Sequence, residues 1–182
     1  MVDLGKNLSK ESFERISSNV VAVPNLAKTD MDEIVARILT TYDTIAVVGA
    51  SADPSKPAHR VPAAMMRHGW RIIPVNPRAG QIFGEQAYQT LADVPEQVGF
   101  VDVFRPSART PDVARQAVDA GAAALWLQLG IFSAEARAIA ESAGLLYVEN
   151  RCVAIERNRL GLAAPDNGGQ PRPGPAAGLH LR

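Results

Sequence analysis

From Thr44 onward the chain alternates short apolar runs, rich in β-branched residues, with longer stretches in which apolar positions recur every three or four residues. The short runs predict five strands, at 44–50 (TIAVVGA), 71–75 (RIIPV), 100–104 (FVDVF), 122–128 (AAALWLQ) and 145–149 (LLYVE). Between them the spacing predicts three helices. One runs from His59 to His68 and is ended by Gly69. The next has Thr110 as cap, Pro111 in first position and Asp112 in the first turn, and ends at Gly121. The last is capped by Ser133, carries Glu135 in its first turn and stops at Gly144. Each stop glycine is followed at once by an apolar run, which is how a helix returns the chain to a strand. Strands that are apolar throughout must be covered on both faces, and helices between them impose parallel pairing. The predicted fold is therefore α/β: a Rossmann-like, doubly wound five-stranded parallel sheet with helices on both faces.

Three segments fall outside the alternation. Residues 1–43 predict an N-terminal helical extension, with Ser9 as one cap and Thr29 or Asp30 as another; Ile34, Ile38 and Leu39 share a face. That face must dock on the main domain or on a second copy, which makes a homodimer one expectation. Residues 76–99 are too long for a simple turn and are expected to form an excursion with a short helical turn, pinned by Ile82, Phe83 and Tyr88. Residues 163–182 are Pro/Gly-rich with little to bury and are expected to be disordered, leaving 44–162 as the ligand-binding domain.

Composition narrows the function classes. Among 182 residues, 19 Lys and Arg balance 19 Asp and Glu, so no net field recruits nucleic acid or an anionic membrane. An anion site must then be a local arrangement. The single Cys152 excludes an internal disulfide and any multi-cysteine metal site, and suits a reducing compartment. No apolar run approaches the roughly 18 residues of a membrane span, and the N-terminus is charged where a signal peptide would be apolar. A cytoplasmic protein is expected.

In such a sheet ligands sit beyond the C-terminal strand ends, where the strand order reverses. With an order of 3-2-1-4-5, the crevice lies between the loops after the first and fourth strands. The first loop, GASADPSKP, lets Gly49 bring the backbone close to a ligand, with Ala50 and Ser51 leaving room, free N–H groups of the turn and the following helix end facing phosphate, and Lys56 adding charge. A lone glycine in such a loop serves geometry as often as ligand. After the second strand, Val75-Asn76-Pro77-Arg78 lacks the acid that takes the ribose of NAD. Asn76 and Arg78 instead suit a ribose bearing an extra phosphate, as in NADP or coenzyme A; Arg78 could equally solvate a loop. Phe104 and Arg105 extend this edge, Phe104 being either an adenine platform or the last core residue of its strand. Gln128, Gly130 and Ile131 supply the other wall, Gln128 being a polar group that leaves an apolar strand.

With those loops in place, VVGAS, KP, PVNP, IFGE, VDVFRP, LWLQLGI and NRC, in this order and spacing over 44 to about 160, resemble the stand-alone coenzyme A-binding domain family. They are similar also to the coenzyme A-binding domain of the succinyl-CoA synthetase α subunit. The resemblance implies coenzyme A held through its 3′-phospho-ADP half. Gly49, Ala50 and Ser51 would wrap the pyrophosphate, and Val75, Asn76 and Arg78 would meet the adenosine and its extra phosphate. Phe104 and Arg105 would line the adenine side, with Gln128, Gly130 and Ile131 closing the crevice. Two positions depart from the family pattern: Ala58 where a serine usually follows the proline, and Asn150 where an acid usually precedes Arg151-Cys152.

No catalytic constellation accompanies these loops. His59, His68 and His180 have no acid partner at a catalytic spacing, and the second synthetase domain does not fit in the chain. Cys152 reads as a buried small hydrophobe, with a reactive thiol as the alternative. The expectation is a coenzyme A-binding protein without catalysis of its own, taking coenzyme A or acyl-coenzyme A. An NADP-dependent oxidoreductase, a partner-dependent acyl-CoA enzyme subunit and an interaction protein with an empty crevice are the alternatives.

Overall fold

The computed structural model describes residues 26–166. The Ser9 cap and most of the predicted disordered tail lie outside the described residues. At the start of that tail, the Ala164 N–H donates to the His68 carbonyl.

Five parallel strands form the sheet: β1 (Thr44–Val48), β2 (Arg71–Val75), β5 (Phe100–Val103), β6 (Ala124–Leu127) and β7 (Leu146–Val148). Two short antiparallel strands, β3 (Gln81–Ile82) and β4 (Glu85–Gln86), form a separate hairpin. The helices are α1 (Leu26–Thr41), α2 (Pro57–Arg67), α3 (Thr110–Asp119), α4 (Ala134–Ser142) and α5 (Val153–Leu160).

The sheet order is β2-β1-β5-β6-β7, so the expected order 3-2-1-4-5 is corrected to 2-1-3-4-5. Alternating strands and helices are compatible with both orders. The choice rests on the connection 76–99, which is long enough to carry the chain past β1 and set β5 on its far side. The order therefore reverses between β1 and β5, and the crevice opens between the loops after these two strands.

Successive residues of each strand enter opposite cores. Ala46, Val48, Val101, Val103, Leu125 and Leu127 face α3 and α4, while Ile45, Val47, Phe100, Ala124 and Trp126 face α1, α2 and α5. Burial on both faces is why these runs read as continuously apolar. Two indole donors fix the second layer: Trp70 Nε1 donates to the Tyr42 carbonyl at 2.9 Å, and Trp126 Nε1 to the Arg151 carbonyl at 2.6 Å.

Helix α1 begins at Leu26, ahead of the predicted caps Thr29 and Asp30. Its residues Val35, Ile38 and Leu39 are fully buried on the chain's own sheet, and Arg159 donates from Nη2 to Asp32 Oδ1 at 2.9 Å. The apolar face that raised a homodimer as an expectation is thus covered within the chain. Helix α3 is entered through a short 3₁₀ turn, Ser107–Arg109, that makes Arg109 its cap; Thr110 is already helical and donates from Oγ1 to the Ser107 carbonyl. Ser133 caps α4 as predicted, its Oγ accepting from the Ala136 N–H. Helix α5 was not predicted. Its first residue, Val153, is buried, but Ile155 is exposed and the run Glu156 to Arg159 is polar throughout, so no clear apolar stripe marks it.

In the excursion, Ile82 is buried and Tyr88 bridges to Val75. A 3₁₀ turn at Leu91–Asp93 is held by a reciprocal Thr90–Asp93 cap. The β3–β4 hairpin, which turns through Phe83 at φ 60° and Gly84, was not read from the sequence.

Candidate functional site

Register sets Val48 level with Val75 on one side and Val103 on the other, so the loops after β1, β2 and β5 leave the sheet at one height. Gly49 turns with φ 91°, and a Cβ there would lie 2.9 Å from Arg105 Cδ and 3.1 Å from the Phe104 carbonyl oxygen. Only glycine lets the two loops approach this closely.

Three N–H groups of this turn are engaged within the chain, contrary to the expectation for them. Gly49 donates to the Val75 carbonyl, Ala50 to Val47 and Ser51 to Ala58. Ser51 is committed further: its Oγ accepts from the Asp53 N–H and its carbonyl bonds His59 Nδ1 at 2.8 Å. Ala50 is fully buried. Asn76 ties the loops together, donating from Nδ2 to the Ala50 carbonyl at 2.8 Å and accepting the Arg78 N–H at 2.9 Å. These residues form the floor of the crevice.

Two cavities flank the floor. The first, of about 220 Å³, sits at the switch point over Gly49, Val75 and Pro77, with Arg105, Arg109 and Gln116 on its walls. Arg78 stands beyond Pro77 on the adjoining surface. Arg78, Arg105 and Arg109 are exposed, and their guanidinium groups make no ion pair or hydrogen bond among the described residues. The one acid on the wall of the first cavity, Asp112, is already paired with Arg115 at 2.9 Å. The local charge is thus positive in a chain of zero net charge.

The second cavity, of about 440 Å³, opens on the other side of the β5 loop. It is lined by Lys56, Pro57, Phe104, Gln128, Ile131 and Cys152, among others. Consecutive residues therefore part company: Phe104 faces the second cavity and Arg105 the first. Gly130 lines neither and is held by its N–H to Asn150 Oδ1 at 2.8 Å. Asn150 adopts φ 54°, a conformation asparagine tolerates, and its own N–H donates to the Ile131 carbonyl. The position that departs from the family pattern thus clamps the β6 loop.

Sequence reasoning missed Arg109, hidden in a turn ahead of the expected cap, and Asp102. Asp102 is buried in β5 and accepts from Gln128 Nε2 at 2.8 Å, which satisfies the polar group expected to seek a ligand. Burial pushes the Asp102 carboxyl up to about 7, against the lowering effect of the Gln128 and Val103 hydrogen bonds. An acid inside an otherwise apolar strand was the available signal. Among the described residues no cluster of His, Cys, Asp and Glu could hold a metal, and no helix is long and apolar enough to cross a membrane.

A parallel sheet with a cationic cavity at its switch point defines a Rossmann-like nucleotide-binding architecture. Within that class, the chain belongs to the CoA binding domain family, which matches residues 43–158. It is 32% identical to the uncharacterized protein YneT of Bacillus subtilis (strain 168) over 131 residues, 72% of this chain and 94% of that protein. It is 29% identical over 80 residues to the acetate–CoA ligase [ADP-forming] II of Archaeoglobus fulgidus, a match spanning 43% of this chain and only 12% of the ligase. A hypothetical protein from Pyrococcus horikoshii OT3 superimposes with a TM-score of 0.70 at 37% identity, covering 72% of this chain and 92% of that one.

Proposed function

We propose that the protein binds coenzyme A without catalysis of its own, and that the 3′-phospho-ADP half occupies the first cavity. The observation that carries this reading is the group of three unpaired guanidiniums, Arg78, Arg105 and Arg109, around the ends of β1, β2 and β5. Guanidinium forks suit phosphate oxygens, and coenzyme A brings a pyrophosphate and a ribose phosphate together. Because the N–H groups of Gly49, Ala50 and Ser51 are engaged within the chain, the pyrophosphate falls to Arg105 and Arg109. Arg78 takes the 3′-phosphate, beside a floor of Val75, Asn76 and Pro77. The thiol-bearing arm passes Lys56 and Phe104 toward Gln128 and Ile131, with Gly130 holding the far loop.

A thermal-shift titration with coenzyme A, 3′-dephospho-coenzyme A, NADPH and NADH tests this. Binding to the native state stabilises by about 2.7 kcal/mol at a hundredfold excess over Kd. A shift with coenzyme A that shrinks without the 3′-phosphate supports the reading, and a shift with NADPH alone replaces it by an NADP-dependent oxidoreductase. The likeness to a small part of an acetate–CoA ligase favours a second reading, a subunit of an acyl-CoA enzyme completed by a partner. Turnover of acyl-CoA appearing only when the protein is mixed with a candidate partner subunit would establish it.

A further inference from the structure

The second cavity has a chemistry that the nucleotide does not explain. Its size, about 440 Å³, lies in the range of small-molecule sites, roughly 300–1,000 Å³. Its walls are Pro57 and Val61 of α2, Phe104 after β5, Leu129 and Ile131 after β6, and Ile155 of α5. Leu129 and Ile155 are 65% and 57% exposed, and both face this hollow. Burying such side chains needs an apolar occupant. A pantetheine arm entering past Lys56 and Gln128 keeps its amides at the polar edge and leaves Leu129 and Ile155 to the group that its thiol carries.

The polar groups beside the hollow are few and partly committed. Lys56 lies 3.9 Å from Asp53, and Gln128 is bonded to Asp102. The two cavities share the β5 loop, since Phe104 borders one and Arg105 the other. A ligand anchored by its phosphates in the first can therefore extend into the second.

The geometry points to the second cavity as a chamber for the uncharged aliphatic acyl group of an acyl-coenzyme A thioester. This rests on the reading of the first cavity as the phosphate end. The occupant is an acyl chain of a few carbons at the far end of the pantetheine arm, with its hydrocarbon against Leu129 and Ile155.

Isothermal titration of the full chain with coenzyme A, acetyl-, butyryl-, hexanoyl- and succinyl-coenzyme A tests it. Each methylene buried tightens binding about fourfold. Affinity therefore climbs from acetyl to hexanoyl, and succinyl-coenzyme A binds more weakly than butyryl-coenzyme A. Ile155→Ser and, independently, Leu129→Ser reduce the hexanoyl-to-acetyl affinity ratio toward one; both positions are exposed, so folding is not at stake. Equal affinity along the series, with coenzyme A itself binding, overturns the acyl chamber and leaves the coenzyme A reading standing. Tightest binding of succinyl-coenzyme A also overturns it, since Lys56 would then be selecting a carboxylate. If no coenzyme A compound binds, both readings fall.

Discussion

Gln128 at the end of β6 donates from Nε2 to Oδ1 of Asp102 in the neighbouring strand at 2.8 Å, and both side chains are buried. The bond lies on the face of the sheet that looks toward α2 and α5, below the wall of the second cavity. Burial there leaves the carboxyl with too little solvation to ionise at its ordinary value, and the Gln128 bond only partly offsets this.

The folded state holds the Asp102 proton to about pH 7, whereas the ordinary value is 3.8. In that window the folded state binds more protons, so this group's contribution to stability falls as pH rises. The full effect is of the order of 4 kcal/mol. Asp102→Asn keeps an acceptor for Gln128 and removes the titration. Urea unfolding at pH 5 and pH 8 is expected to show the variant gaining on the parent at pH 8. Parallel behaviour would mean that the carboxyl ionises freely.

Glu149 behaves in the opposite sense. Burial alone would raise it, but hydrogen bonds from Arg137 at 2.6 Å, the Ser133 N–H at 3.0 Å and the Tyr147 hydroxyl at 2.8 Å outweigh burial and hold it below its ordinary value. Its contribution is present above the unfolded value and is lost as pH falls through the lowered folded one. Glu149→Gln is expected to cost about 1–3 kcal/mol at pH 7. The deficit should narrow as the pH falls below the ordinary glutamate value of 4.5, read from paired unfolding curves.

Gly49 and Gly130 both have positive φ, yet only Gly49 has crowded surroundings. Gly130→Ala is expected to cost about 1–2 kcal/mol for its backbone conformation. Gly49→Ala adds the contact with the Phe104 carbonyl and should cost more, together with a smaller coenzyme A-induced thermal shift. Equal losses of stability would show that the β5 loop yields without penalty.

Arg78→Ala is expected to erase most of the preference for coenzyme A over its 3′-dephospho form, roughly tenfold for one charge-assisted contact. Arg105→Ala should weaken both ligands alike. A preference untouched by Arg78→Ala would move the 3′-phosphate to another residue.

Much of the fold was legible because burial on both faces leaves a plain mark. TIAVV and ALWL can be read as strands without knowing their neighbours, and Ser133 announces α4 through its own cap. The strand order was not legible, since nothing in residues 76–99 says which side of β1 the chain crosses to. Helix α5 escaped for a related reason: VAIERNRL spends its apolar residues on a core contact at Val153 and a cavity wall at Ile155, so they form no stripe. The loops expected to carry a ligand leave the sheet at one end, but their division between two cavities was not legible. That Phe104 and Arg105 point into different cavities is a matter of backbone direction at a strand end, and adjacency in the chain conceals it.

The two tryptophans give this molecule a built-in optical pair. Trp126 bonds the Arg151 carbonyl, one residue from the cavity-lining Cys152, while Trp70 bonds the Tyr42 carbonyl just ahead of β1, at the opposite end of the sheet. Emission from Trp126 should respond to an occupant of the second cavity, and that from Trp70 should stay as an internal standard. With Trp70→Phe and Trp126→Phe to separate them, ligand entry can be timed by stopped flow without attaching a dye.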